Sequence, residues 1–215
     1  MHALAAVLLR HPRIALMTDD IYEHIRFDHS ASVCPVAIEP ELAPRTLLVN
    51  GVSKTYAMTG FRLGYGAGPR ALIAAMSTIQ SQSTSCVSSL SQAAAVAALN
   101  GDQQFVAEAC VAYRGRRDRM VELLNAIPGL QCARPQGAFY VYPSCAGLIG
   151  KRTAEGEILT ADFDVVMYLL DTADVATVEG AAYGLSPYLR LSITTSLTNI
   201  EKACARIAAA VGRLK

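Results

Sequence analysis

The sequence predicts an α/β fold: part of a mainly parallel sheet belonging to a larger domain, followed by a smaller α/β domain. Three observations carry this. The short apolar runs Ile14 to Met17 and Thr46 to Val49 lie about thirty residues apart, room for the crossover that parallel strands require. Stretches of helical periodicity alternate with such runs along the chain. A long helical stretch from Gln103 to Ile127 then separates two portions, which divides the chain into residues 1–101 and 102–215.

Each element has its own signal. Leu4, Val7 and Leu8 make an amphipathic helical start that Pro12 halts, with Arg10 and His11 suited to a helix C-terminus. Ile14 to Met17 follows as a strand ending in Thr18-Asp19-Asp20, and Pro35, Pro40 and Pro44 make the crossover to Thr46–Val49 rich in loops. If these two strands are parallel neighbours, Asp19 and Lys54 both sit just beyond strand carboxyl ends, where open α/β sheets place their ligands. A lysine there must be desolvated or paired, which makes Lys54 a candidate for chemistry.

Leu63 to Ala67 reads as a glycine-bearing strand in a crowded part of the sheet, and Pro69-Arg70 opens a helix through Ile73, Met76 and Ile79. Gln80 to Ser91 has a linker composition, and a helix from Ala93 to Leu99 stops at Asn100-Gly101. In the long helix, Arg114, Arg116, Arg117 and Arg119 read as a solvated basic face. Beyond it come strands at Leu130–Ala133 and Gly137–Tyr142, a helix from Asp162 to Leu170, and strands at Val175–Val178 and Tyr188–Ile193. The last helix has Thr198 and Glu201 in capping-box register and an apolar face of Ile200, Ala203, Ile207, Val211 and Leu214.

Composition narrows the function classes. With 215 residues, 52% of them hydrophobic, the chain can pack a core; a net charge of +1 with 17% charged residues argues against nucleic acid and acidic membrane surfaces as partners. The six cysteines form no Cys-x-x-Cys pair and fall in apolar segments, as reduced thiols of a cytoplasmic protein do. The four histidines, His2, His11, His24 and His29, complete no ligand set, so no metal is assigned. The apolar run Ala3 to Leu9 lacks a basic leader, and no segment reaches membrane-spanning length.

Four stretches share one likeness. Ser53-Lys54-Thr55-Tyr56-Ala57-Met58-Thr59-Gly60-Phe61-Arg62-Leu63-Gly64-Tyr65 resembles the cofactor-lysine signature of the class I aminotransferases, pyridoxal phosphate enzymes related to aspartate aminotransferase. Asp19-Asp20-Ile21-Tyr22 is similar to that family's Asp-Glu-Ile-Tyr element. Residues 135–143 resemble the hairpin that opens its small domain, and Gly180 to Ser192 its substrate-binding segment.

The resemblance implies pyridoxal 5′-phosphate as cofactor, with Lys54 its covalent anchor and proton carrier. It implies Asp19 at the pyridine nitrogen, Tyr22 at the ring oxygen, and Ser53 and Arg62 at the phosphate. Arg190 corresponds to the clamp on the substrate α-carboxylate; its planar fork suits a carboxylate, and a structural salt bridge is the other reading. Substrates would be an amino acid, of aspartate type, and a 2-oxo acid, and the full-length form would be a homodimer. The likeness runs through the whole chain, yet family members are about twice as long. The expectation is therefore a C-terminal half that binds cofactor weakly and turns over little alone, with open sheet edges and exposed apolar faces. A related pyridoxal phosphate lyase or synthase, or a non-catalytic effector domain, remain as alternatives; no basic helix-turn-helix favours the latter.

Overall fold

A computed structural model describes residues 1–27 and 33–215; His29, considered above as a metal ligand, lies outside them. The chain divides into two compact units, Met1–Glu108 and Ala109–Lys215. Among the described residues no helix is long and apolar enough to cross a membrane.

The first unit begins with α1 (His2–Arg10), β1 (Leu16–Asp19), a single helical turn α2 (Pro35–Ile38) and a 3-10 segment, Pro40–Arg45, that leads into β2 (Thr46–Gly51). After a turn comes β3 (Gly64–Ala67), then α3 (Arg70–Ser83) and α4 (Ser89–Asn100). The strands form one sheet in the order β1-β2-β3, with β1 parallel to β2 and β3 antiparallel to it. The expected parallel neighbours are thus real. The first strand sits two residues later than the apolar run suggests, because Thr18 and Asp19 continue the ladder opposite Leu48 and Val49.

α1 buries Ala5 and Leu8 against Leu42, with Leu16 and Val36 packed alongside, whereas Leu4 and Val7 face outward. Its C-terminus is satisfied from afar: the Arg45 guanidinium donates to the carbonyls of Leu8 (2.7 Å), His11 (2.8 Å) and Ile14 (2.7 Å). A cation at the carbonyl end of a helix also meets its dipole favourably. The expected linker is shorter than its composition suggests, since α3 continues to Ser83 and α4 starts at Ser89. α3 buries none of its residues, Ile79 is 70% exposed and Leu90 of α4 is 80% exposed. The anticipated exposed apolar faces are therefore present.

α5 (Gln104–Asn125) crosses from one unit into the other. In the second unit β4 (Tyr140–Val141), α6 (Asp162–Ala173), β5 (Val178–Glu179), β6 (Leu189–Ser192) and α7 (Leu197–Val211) follow. The three strands pair antiparallel in the order β4-β6-β5. Leu124, Val141, Leu148, Val165, Leu169, Ile193, Ile200 and Ile207 form the buried interior, the last two from the α7 face that the sequence marks.

Several local readings are corrected. Leu130–Ala133 makes no strand, only an isolated bridge from Gln131 to Ser144, while Asn125 bonds both the N–H and the C=O of Cys132. Arg117 does not belong to a solvated face; it is buried, donating to the Pro135 carbonyl at 2.7 Å and to Asp118 at 2.9 Å. The N-cap of α7 is Ser196, whose hydroxyl accepts from the Asn199 N–H at 3.1 Å, and Thr198 lies inside the helix.

Candidate active site

Because β1 and β2 run parallel in the register Asp19 to Val49, the chain leaves both strands at the same edge of the sheet. The Asp20 N–H donates to the Val49 carbonyl at 2.9 Å, which carries the pairing one residue past β1. Asp19 is exposed there, its carboxylate accepting from the Ile21 N–H at 3.3 Å, and half-buried Tyr22 follows in the same turn.

The other strand ends in the lysine turn. Tyr56 N–H donates to the Val52 carbonyl and Ala57 N–H to the Lys54 carbonyl, both at 3.3 Å, so Ser53 and Lys54 are held half-buried in a compact loop. Ala57 takes a left-handed conformation to close it, and so does Arg62 after the 3-10 turn Thr59–Phe61. Arg62 is exposed and donates to the Thr59 carbonyl at 2.9 Å. The Tyr56 hydroxyl reaches Gln103 at 2.9 Å, and the Gln103 amide in turn bonds the Ala98 and Gly101 carbonyls at the end of α4. One side chain thus ties the lysine turn to a helix terminus.

Two residues that the motif reading left without a role join these turns. Asn50 is 7% exposed; its amide donates to the Glu23 carboxylate at 2.6 Å, and its carbonyl accepts from the Gly51 N–H at 2.7 Å. Glu23 belongs to the segment just after Tyr22, so this hydrogen bond links the Asp19–Tyr22 turn to the end of β2. Gly51 permits the close approach: a β-carbon there would stand 3.0 Å from the Leu63 carbonyl oxygen, 3.1 Å from Gly64 Cα and 3.2 Å from Ile21 Cδ1. Tyr65 faces Asn50 across the β2–β3 ladder, and burial, then the nearby Glu23 and Tyr56, push its phenol pKa above the usual value. A polar residue closing an otherwise apolar strand, Asn50, was the available signal; its partner 27 positions away was not readable.

The second unit holds Arg190 in β6, opposite Val178. It is half-buried, and its guanidinium carbon lies 4.6 Å from the centroid of the Tyr140 ring and 4.6 Å from that of Tyr183. Cation–π contacts of this kind contribute about 0.5–2 kcal/mol according to exposure. Among the described residues Arg190 forms no ion pair. Asp19, Tyr22, Ser53, Lys54 and Arg62 belong to the first unit and Arg190 to the second.

Comparison with known proteins gives a consistent result. The family model for aminotransferase class I and II matches residues 1–207. The chain is 54% identical to an aspartate aminotransferase of Rhizobium meliloti (strain 1021), over 98% of this chain and 52% of that protein. It is 49% identical to a probable aspartate/prephenate aminotransferase of Rhizobium leguminosarum bv. phaseoli, over 100% of this chain and 54% of that one. The crystal structure of a Rhizobium meliloti aspartate aminotransferase superposes with a TM-score of 0.95 at 54% identity, covering 99% of this chain and 53% of the other. A Thermus thermophilus aspartate aminotransferase with maleate superposes at 0.84 with 36% identity, over 97% of this chain and 51% of the other. The chain spans about half the length of the curated relatives it matches.

Proposed function

The chain belongs to the class I and II aminotransferase family, and from that premise we propose that it carries the lysine-bearing portion of a pyridoxal phosphate-dependent aminotransferase acting on an aspartate-type amino acid and a 2-oxo acid. The observation that carries the proposal is that β1 and β2 run parallel and end at the same edge of the sheet, where the Asn50–Glu23 hydrogen bond joins the segment after Asp19 to the strand that precedes the Lys54 turn.

The donor set of this end of the sheet fits the cofactor: an amine, a carboxylate for a protonated ring nitrogen, a phenol for the ring oxygen, and a hydroxyl and a guanidinium for a phosphate. When bound, the cofactor supplies an aldehyde carbon for the amino group and an electron-withdrawing ring. Asp19 would hold the ring-nitrogen proton, and Tyr22 would hydrogen-bond the ring oxygen. Ser53 and Arg62 would hold the phosphate, Arg62 by a charge-assisted fork. Lys54 would form the covalent attachment through Nζ and move the proton at the substrate Cα. Arg190 would bind the substrate α-carboxylate through its planar fork. The flanking tyrosines support that role, and among the described residues Arg190 forms no ion pair. We assign a homodimeric assembly and a cytoplasmic location to the same reading; the exposed apolar residues of α3 and α4 support the first, and six cysteines that form no disulfide support the second.

The test is chemical. The protein is mixed with pyridoxal phosphate, reduced with borohydride and digested, and the adduct is located by mass spectrometry. The expected result is a pyridoxyl group on Lys54 that Lys54→Ala abolishes, with weak cofactor binding and little turnover of aspartate with a 2-oxo acid. An adduct spread equally over Lys151, Lys202 and Lys215 would overturn the assignment.

A further inference from the structure

Arg190 owes its setting to a loop that folds back on itself. The segment Gly180–Tyr183 is a 3-10 turn after β5, closed by Gly184 in a left-handed conformation. The Gly180 N–H donates to the Tyr188 carbonyl at 2.7 Å, the Leu185 N–H returns to the Gly180 carbonyl at 3.1 Å, and the Tyr142 hydroxyl also reaches that carbonyl at 3.2 Å. A β-carbon at Gly180 would overlap the Leu185 carbonyl and Tyr188, so the turn is packed without slack. Its last residue, Tyr183, is half exposed and lays its ring on Arg190.

One contact anchors this turn to a different element. Asp162, in the first turn of α6, is 1% exposed, and its carboxylate accepts from the Ala181 N–H at 2.9 Å. A buried carboxylate is costly unless hydrogen bonds satisfy it, and it binds a backbone N–H more strongly than a neutral acceptor does.

We propose that Asp162 is a positioning residue for carboxylate recognition: it holds the Gly180–Tyr183 turn so that Tyr183, together with Tyr140, flanks the Arg190 guanidinium and leaves the in-plane N–H groups for a substrate carboxylate. The proposal deepens the reading of Arg190 given above and rests on it. Asp162 itself touches no substrate; it acts through Tyr183. Aromatic rings beside the guanidinium fix its plane and exclude water from it, while the N–H fork points along the plane where a carboxylate binds in bidentate fashion.

The experiment reads geometry and binding separately. In the unliganded full chain, ring currents from Tyr140 and Tyr183 displace the NMR signals of the Arg190 side chain, and Tyr183→Leu removes the Tyr183 share. Asp162→Ala is expected to remove the same share, with no further change in the double variant. Asp162→Asn keeps a carbonyl acceptor for the Ala181 N–H and is expected to retain most of the displacement; it also serves if Asp162→Ala does not fold. Arg190 signals unchanged in Asp162→Ala, or lost equally in folded Asp162→Asn, overturn the proposal.

Titration with maleate gives the second arm. Its Kd is expected to rise about tenfold in Tyr183→Leu and in Asp162→Ala, and no further in the double variant. Additive losses would mean that Asp162 does not act through Tyr183. Failure of the unaltered chain to bind maleate, or binding indifferent to Arg190→Lys, would overturn the carboxylate role of Arg190, while the ring-current measurement would still decide whether Asp162 positions Tyr183.

Discussion

At the scale of the residue, Asn50 bears more on the site than its absence from the reactive set suggests. It is buried and joins the turn that carries Asp19 and Tyr22 to the strand that delivers Lys54. Asn50→Ala removes the donor and leaves the Glu23 carboxylate without that bond, a loss of about 1–3 kcal/mol. Asn50→Asp sets a second carboxylate against Glu23 and should cost more than Asn50→Ala at neutral pH. Urea unfolding followed by circular dichroism checks both; an Asn50→Asp variant no less stable than Asn50→Ala would show that charge repulsion adds nothing.

The cysteines divide as sharply. Burial pushes the thiols of Cys145 and Cys204 up to about 11 and raises that of Cys132 as well, whereas Cys86 is exposed. Since the thiolate is the nucleophile, iodoacetamide at pH 8 should alkylate Cys86 while Cys132, Cys145 and Cys204 remain unmodified until the protein unfolds. Peptide mapping of a time course reads this directly.

At the scale of the element, the caps show what a sequence conceals. Thr198 and Glu201 stand in capping-box register, yet the chain turns into α7 two residues earlier, where Ser196 has the extended backbone that a cap requires, φ −66° and ψ 154°. Ser196→Ala should therefore cost about 1 kcal/mol, and Thr198→Ala only a few tenths, in the same unfolding assay. The reverse order would restore the capping-box reading. The same division runs through the fold. The lysine turn and the apolar face of α7 were legible because each follows from neighbours within a few residues, and the parallel pair because about thirty residues between two apolar runs leave room for a crossover. The roles of Arg45, Arg117 and Glu23 were not, since each depends on a carbonyl or amide brought close only by folding. The strand expected at Leu130–Ala133 failed for a related reason: Asn125 takes both backbone groups of Cys132 that a ladder would have used.

At the scale of the whole molecule, the chain consists of two units and about half the length of its curated relatives. The motifs and the strand-end rule marked Asp19 and Lys54 as candidates, and the likeness of Gly180 to Ser192 marked Arg190. The tyrosine pair around Arg190 and its support by Asp162 come from β4, the turn after β5 and the start of α6, segments whose meeting no local pattern announces.

The bare helix α3 has a kinetic consequence. Fourteen residues hydrogen-bonded along their backbone, none of them buried, have little to hold them closed beyond the helix itself. In native-state hydrogen exchange, the amides of α3 should open locally and exchange long before those of α7, whose Ile200, Cys204 and Ile207 are sealed in the second unit and exchange only near global unfolding. Protection of α3 equal to that of α7 would reveal a surface that another polypeptide covers in solution. The exchange rate of one helix would then serve as a clock for assembly, slowing as its apolar side chains find a partner.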